Sequence, residues 1–572
     1  MYSGPITLNE TTQIKARIKD GPNWSAVNEA IFSDDRLANS LRITEIMYHP
    51  ADPNDEFIEF KNIGASTVNL AHCQLTKGVD FTFPGMSLAP NAYTIVVRNT
   101  AEFNARYPSY SGTIAGEYTN DKLDNGGETL RLKDAAGNII QEFEYEDNWF
   151  PITDGLGYSL NIINPSDPVL DNWNKRLSWQ ASNVFDGTPG ASHTPNTVGN
   201  ADIVINEILT HTDESEGDWI ELYNASAGPI DVGNWYLSDD KDNLKKYKIA
   251  SPTNIPAGGY LVLTAASNFQ NAADPGSAVQ FGLSEHGEDL FLTSGNGADI
   301  AGGYSDVESF GSSRSDVTFG RYTKGAPTYN TDFIELIAMT PGAANSDAYV
   351  PDVVITEIMY NAQGIQDQLG EYIELHNRDT GTVYLYDLNN PDNTWKFTKG
   401  IDFEFPTGAS IAAGETILIS RTHPDTFKTA NGDPGVTVYG PFTSDTELEN
   451  DGEKIELSRP TDPDPGTGFI SYIRVEQVNY SDGIHPLGVD LLDFAVSWLD
   501  TDCGICNGQD YDGDSDVDFQ DFAFFAQEWL PGSNDPWPAS ADGRGDSLHR
   551  TTLSDYANDV ANWSAAAPSP GS

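Results

Sequence analysis

The sequence predicts a mostly β chain built as a tandem array of sandwich modules, and three observations predict it. One long segment pattern is written three times. A second pattern stands behind each copy in fixed register. Both alternate apolar and polar residues between clusters of Gly, Pro, Asn and Asp, as half-buried strands and turns do. A repeat this long marks one folded module used three times rather than one large enzyme.

The first pattern reads Ile43-Thr44-Glu45-Ile46, then Glu56-Phe57-Ile58-Glu59-Phe60-Lys61-Asn62. It returns as Ile205-Asn206-Glu207-Ile208 with Asp218-Trp219-Ile220-Glu221-Leu222-Tyr223-Asn224, and as Ile355-Thr356-Glu357-Ile358 with Glu371-Tyr372-Ile373-Glu374-Leu375-His376-Asn377. The second pattern is Leu123, Gly127, Glu128, Leu130, Leu132, repeated from Leu283 and again from Leu448. Glu45, Glu207 and Glu357 recur after 162 and then 150 residues. That spacing suits a β-sandwich of about 100–150 residues per unit.

The paired glutamates raise the question of chemistry. Glu45 and Glu59 are 14 residues apart, as are Glu207 and Glu221, while Glu357 and Glu374 are 17 apart. A glycosidase needs two carboxylates across a cleft. Carboxylates on neighbouring strands that bond backbone or bridge charges need only a sheet, and three tandem copies of one pair favour that structural role. We read them as scaffold. Trp219, Trp235 and Trp395 could stack on sugar rings, but read better as core or strand-pairing aromatics. No phosphate-binding loop, zinc-protease helix or nucleophile elbow is present.

The opening I-x-E-I strand, the [FWY]-I-E-[FL]-x-N strand, the L-x-x-x-G-E-x-[LI]-x-L hairpin and a closing Thr-Pro-Gly-Ala (Thr188 to Ala191, Thr340 to Ala343) together resemble the lamin-tail domain. The resemblance implies tandem immunoglobulin-like sandwiches at 38–195, 200–348 and 350–484. The third copy lacks the closing motif before it runs into other sequence, so its last strand is either missing or supplied from further down the chain.

Beyond the third copy, Asp510, Asp512, Asp514, Asp516, Asp518 and Asp521 fall at positions 1, 3, 5, 7, 9 and 12 of one loop. That ladder wraps a single Ca²⁺ in oxygen ligands, position 7 through its carbonyl and position 9 often through water. Phe522, Phe525, Ala526 and Trp529 then come at the spacing of one helix face. The loop and helix resemble a dockerin-type repeat, an EF-hand-like unit, and imply a small α-helical calcium module at 486–566 with a tail at 567–572. Asp555 to Trp563 repeats the spacing of Asp521 to Trp529 and reads as a decayed relative, as does Val489 to Trp498. Ser515 replaces the usual glycine of the sharp turn and should weaken the site somewhat. The resemblance implies a cohesin-like or other cell-surface protein as partner.

At the other end, Tyr2 to Leu8, Ile14 to Arg17 and Trp24 to Ala26 resemble half of a chitobiase C-terminal sandwich over 1–35. Three or so strands are too few to bury their own core. The N-terminus reads as truncated, with no visible signal peptide.

Composition frames the function. The formal net charge is −55, from 31 basic and 86 acidic residues. A surface that acidic repels phosphate backbones, which argues against nucleic acid as a partner. No run of 18 apolar residues predicts a membrane span. Cys503 and Cys506 suggest a small disulfide in an exported chain, and Cys73 a buried small apolar residue. The expected protein is a non-catalytic extracellular or cell-surface array for adhesion, spacing or interaction, anchored through calcium. The alternatives are the accessory region of a larger secreted enzyme, a polysaccharide hydrolase or a spore-coat-H-type kinase, and a carbohydrate-binding protein.

Overall fold

A computed structural model describes the chain except for residues 1–10, 34–35, 119–121, 194–201, 213–214, 326–329, 363–366, 444–445, 465, 482–535, 544 and 572. The chain divides into two compact units. One comprises Met1–Asn206, Ser215–Gly282 and Asp289–Ser309; the other comprises Glu207–Glu214, Leu283–Glu288 and Phe310–Ser572. The first copy lies wholly in one unit and the third wholly in the other, while the middle copy contributes strands to both.

The first copy is a sandwich. Its larger sheet has six strands in the order Thr113–Glu117, Tyr93–Val97, Phe57–Asn62, Leu41–Met47, Leu160–Ile162, Trp179–Ala181. All neighbours run antiparallel except the first two, which are parallel. The facing sheet runs Ile139–Glu146, Gly127–Lys133, Gln74–Lys77, Phe81–Thr82. Alternation decides what fills the space between them: Leu130, Leu132, Phe143 and Tyr145 point inward against Ile43, Ile58 and Phe60.

Leu41–Met47 breaks the alternation, being buried at every residue. Its outer face is covered as well. The helix Thr100–Arg106, capped by Asn99 Oδ1 accepting from Ala101 and Glu102 N–H, sets Phe103 on Met47, Phe57, Ile95 and Val97. Burying a phenylalanine like this one is worth about 2–3 kcal/mol.

The third copy repeats the order: Thr437–Tyr439, Thr416–Ser420, Tyr372–Asn377, Val353–Met359, Ser547–Arg550, Trp563–Ala566. Its outer cover is the helix Pro424–Asn431, with Phe427 on Met359, Tyr372 and Leu418. The last two strands come from far down the chain, so later sequence does supply the missing closure. This corrects the expected boundaries. The described residues of 537–571 belong to the third sandwich, and neither a helical module reaching 566 nor a tail at 567–572 describes them. Asp555 to Trp563, read as a decayed helix, instead ends in the 3₁₀ turn Val560–Asn562 and the strand Trp563–Ala566. The indole gives the reason. Trp563 Nε1–H donates to Ala557 O at 2.6 Å, as Trp179 Nε1–H donates to Trp173 O at 2.8 Å in the first copy.

Between Ser481 and Ser547 the third copy carries 53 more residues than the first has between the matching Glu146 and Ser159. The six aspartates of the expected calcium loop, with Cys503 and Cys506, fall in that insertion and outside the described residues.

In the middle copy, Trp219–Asn224 pairs with Tyr260–Thr264 in one unit, and Ile203–Leu209 pairs through Glu207 to Leu209 with Thr318–Thr323 in the other. At the N-terminus, Thr12–Ala16 pairs with Asn28–Phe32 and Lys19–Asp20 with Asn23–Trp24, in largely exposed ribbons. Among the described residues no helix is long and apolar enough to cross a membrane.

Candidate functional site

The paired glutamates are brought together by a one-residue bulge. In the first copy Ile43 opposes Phe60 and Glu45 opposes Glu59, so Thr44 is the extra residue. In the third, Ile355 opposes Leu375, Glu357 opposes Glu374, and Thr356 is extra. In these two copies the variable position of I-x-E-I is thus the bulge. Its side chain bonds the second glutamate: Thr44 Oγ1 lies 2.7 Å from Glu59 Oε1, Asn206 Nδ2 2.7 Å from Glu221 Oε1, and Thr356 Oγ1 2.6 Å from Glu374 Oε1.

The carboxylates then catch the end of the module. Glu45 accepts from Thr188 N–H at 2.7 Å, Thr188 Oγ1–H at 3.2 Å and Ser159 Oγ–H at 2.5 Å, while Glu59 accepts from Gly190 N–H at 2.6 Å. In the middle copy Glu207 accepts from Thr340 N–H at 3.1 Å, Thr340 Oγ1–H at 2.6 Å and Thr318 Oγ1–H at 2.6 Å. In the third copy Glu357 accepts from Ser569 N–H at 3.0 Å, Ser569 Oγ–H at 3.2 Å and Ser547 Oγ–H at 2.5 Å, and Glu374 from Gly571 N–H at 2.7 Å. Ser569-Pro570-Gly571 is therefore the third closing motif, hidden by a serine in place of threonine and by the insertion before it.

This geometry is a latch. The oxygens of Glu45 and Glu357 bond hydroxyl and amide donors of the chain itself, and Glu45, Glu207 and Glu357 are at most 1% exposed. Burial raises the Glu45 carboxyl, and burial together with the Glu45 charge raises Glu59 well above the ordinary range. Glu374 is pushed up to about 7, chiefly by burial. The third copy departs from the others at the latch. His549 stands where the first copy has Asn161, with Nε2 2.9 Å from Ser547 Oγ and 3.4 Å from Glu357 Oε1, and Tyr372 O–H also donates to Glu357. A cleft of about 640 Å³ lined by Glu357, Glu374, His376 and His549 opens beside it.

The reading of the glutamates as scaffold agrees with this arrangement. Gly190 falls inside the closing Thr-Pro-Gly-Ala read from the sequence, whereas Ser159, Ser547 and Gly571 do not stand out in the repeat pattern; Ser-Leu recurs at 159–160 and 547–548, but the middle copy has Thr318-Phe319 in its place. Trp219, Trp235 and Trp395 are 7%, 5% and 9% exposed, the core role read from the sequence, and Cys73 is buried. Among the described residues no group of three His, Cys, Asp or Glu side chains is arranged to hold a metal ion.

Comparison with known proteins decides the family. The lamin tail domain matches residues 36–147, 196–305 and 346–467, more than half of the chain. The chain belongs to the lamin tail domain family. It is an immunoglobulin-like, non-catalytic domain family, in keeping with latched rather than reactive carboxylates. Each match stops short of the closing motif that its latch holds. No curated protein and no solved structure matches the chain.

Proposed function

We propose that this chain is a non-catalytic extracellular array of lamin tail domains for adhesion, spacing or interaction, anchored through a calcium-binding dockerin-like segment to a cohesin-like or other cell-surface protein. The observation that carries the reading is the triple use of one latch. Carboxylates that would be reactive in a cleft are held by the module's own closing turn in every copy.

The aspartate ladder supports the calcium part. Asp510, Asp512, Asp514 and Asp521 would bind Ca²⁺ through side chains, Asp516 through its carbonyl and Asp518 through water. The segment leaves the third sandwich after Tyr472–Ser481 and returns before Ser547–Arg550. A calcium-ordered insertion tethered at both ends would present a partner surface on a stable base.

Calcium titration calorimetry of the full chain tests this. The intact chain should bind one equivalent, and the double variant Asp510→Ala, Asp514→Ala should lose that heat. Equal heats from both would contradict the reading. The full chain is required, because a fragment beginning at 486 would carry two strands of a sandwich it has left behind.

A further inference from the structure

The turn before the last strand carries one asparagine in the first copy and in the third, and both do the same work. Asn174 Oδ1 accepts from Glu144 N–H at 2.9 Å, and Asn558 Oδ1 accepts from Asn479 N–H at 2.7 Å. Each amide ties its turn to a strand of the facing sheet, and each then has an Nδ2 to place. In the first copy Asn174 Nδ2 donates to Asp171 Oδ1 of the same turn at 3.2 Å. The third copy has Asp555 at the matching place, three residues before Asn558, and does not use it for this bond. Asn558 Nδ2 donates instead to Asp332 Oδ2 at 2.8 Å, in the last strand of the middle copy.

Further bonds join the same two elements, which lie within one compact unit. Asp332 Oδ2 also accepts from Tyr556 O–H at 3.0 Å, and Asp332 Oδ1 pairs with Lys324 Nζ at 3.2 Å. Burial, then the Asp332 charge, raise the Tyr556 phenol, so it stays a donor. A bond crosses in the opposite sense as well: Gly325 N–H donates to Asp559 Oδ2 at 2.6 Å, while Asp559 Oδ1 holds Ala561 N–H at 3.0 Å. The ring of Tyr322 meets that of Tyr556 edge-on, with centroids 5.4 Å apart. Charge is complementary around these contacts. Lys454 and Arg459 of the third copy lie within electrostatic reach of Asp332 and Glu335 of the middle copy.

We propose that the paired strands Thr318–Thr323 and Thr331–Glu335 of the middle copy are the dock onto which the third copy's distant closing segment returns, so that the third sandwich is closed across the module boundary. The first copy closes its turn with its own aspartate, whereas the third, whose closing strands come back only after the long insertion, is seated by its neighbour. Hydrogen bonds to a charged acceptor are the stronger kind, and a buried amide or phenol stripped of its acceptor bears the full desolvation cost. The dock fits one kind of partner: a lamin tail copy whose last turn presents tyrosine, asparagine and aspartate as Tyr556, Asn558 and Asp559 do. Opening the middle copy's last strand therefore loosens the third copy's closure.

The test is hydrogen exchange on the full chain, followed at Trp563–Ala566 and, as a control, at Leu41–Met47. Asp332→Leu, a change confined to the middle copy, removes the acceptor of Tyr556 and Asn558. It should speed exchange at Trp563–Ala566 by at least about tenfold and leave the control unchanged. Asn558→Asp keeps the oxygen that holds Asn479 but turns a second carboxylate on Asp332, and should have the same effect. Adding Asp332→Asn to Asn558→Asp exchanges donor for acceptor across the boundary and should restore protection to within about threefold of the parent. If a single variant prevents folding outright, recovery of folded protein in the double variant supports the proposal equally. Unchanged exchange at Trp563–Ala566 in Asp332→Leu, or a double variant no better protected than Asn558→Asp alone, would overturn it.

Discussion

Glu374 is the residue whose titration can be read. Burial, then the neighbouring Glu357 charge, raise its carboxyl to about 7, against the opposing bonds from Thr356 and Gly571. The folded state therefore binds this proton more tightly than the unfolded chain does. Its stabilising contribution is full below about pH 4.5 and is lost as pH rises through about 7. Other charged or titratable groups at the cleft are His376, Glu415, His549 and Arg550. Glu374→Gln mimics the protonated acid, its amide facing Thr356 and its carbonyl facing Gly571. The variant should lose less third-copy stability between pH 5 and pH 8 than the parent, as measured by denaturant unfolding at both values. At Gly187 the backbone is left-handed, with φ +73°, and an added Cβ would lie 2.4 Å from Glu45 Oε1 and 2.6 Å from Ser159 Oγ. Gly187→Ala should cost at least about 2 kcal/mol of first-copy stability, read by thermal unfolding. Position 187 directly precedes the closing motif, and its steric duty to the latch is invisible without the fold.

At the scale of elements, the strands that carried the repeat were legible because the same apolar residues and glutamates recur in the same order within each strand, even though the opening strands Leu41–Met47 and Ile203–Leu209 are buried at every residue rather than on alternate ones. The third closure was not, for two physical reasons. An insertion separates Ser547–Arg550 from the strand it follows in the first copy, and strand pairing does not care how far apart partners lie in sequence. The second reason is ambiguity of period. Ala557, Val560 and Trp563 fit a helix face, but Trp563 is fixed instead by its indole bond to Ala557 O and by pairing with Arg550. The bulge residue of I-x-E-I likewise reads in sequence as a free position rather than as the device that sets two carboxylates opposite one another. Replacing 483–535 with a short linker should leave the third sandwich folded. A chain ending at residue 484 should lose that copy's unfolding transition, because Val353–Met359 would have an unpaired edge.

For the whole molecule, a net charge of −55 sets the response to salt. Acidic side chains far outnumber basic ones, so mutual repulsion opposes the compact state and screening relieves it. The midpoint of thermal unfolding should rise between about 10 mM and 200 mM salt, where the Debye length shortens from about 30 to 8 Å. A fall would mean that ion pairs such as Arg176–Asp306 outweigh the repulsion.

Paired glutamates close each module by holding its last turn, and the third copy offers the cleanest test. Removing residues 567–572 deletes only Ser569-Pro570-Gly571 and its flanks, and leaves every strand of that sandwich in the chain. Hydrogen exchange at Val353–Met359 and Ser547–Arg550 should accelerate by at least about tenfold, with the first copy unaffected. Unchanged protection in both strands would mean that the carboxylates do not latch the fold.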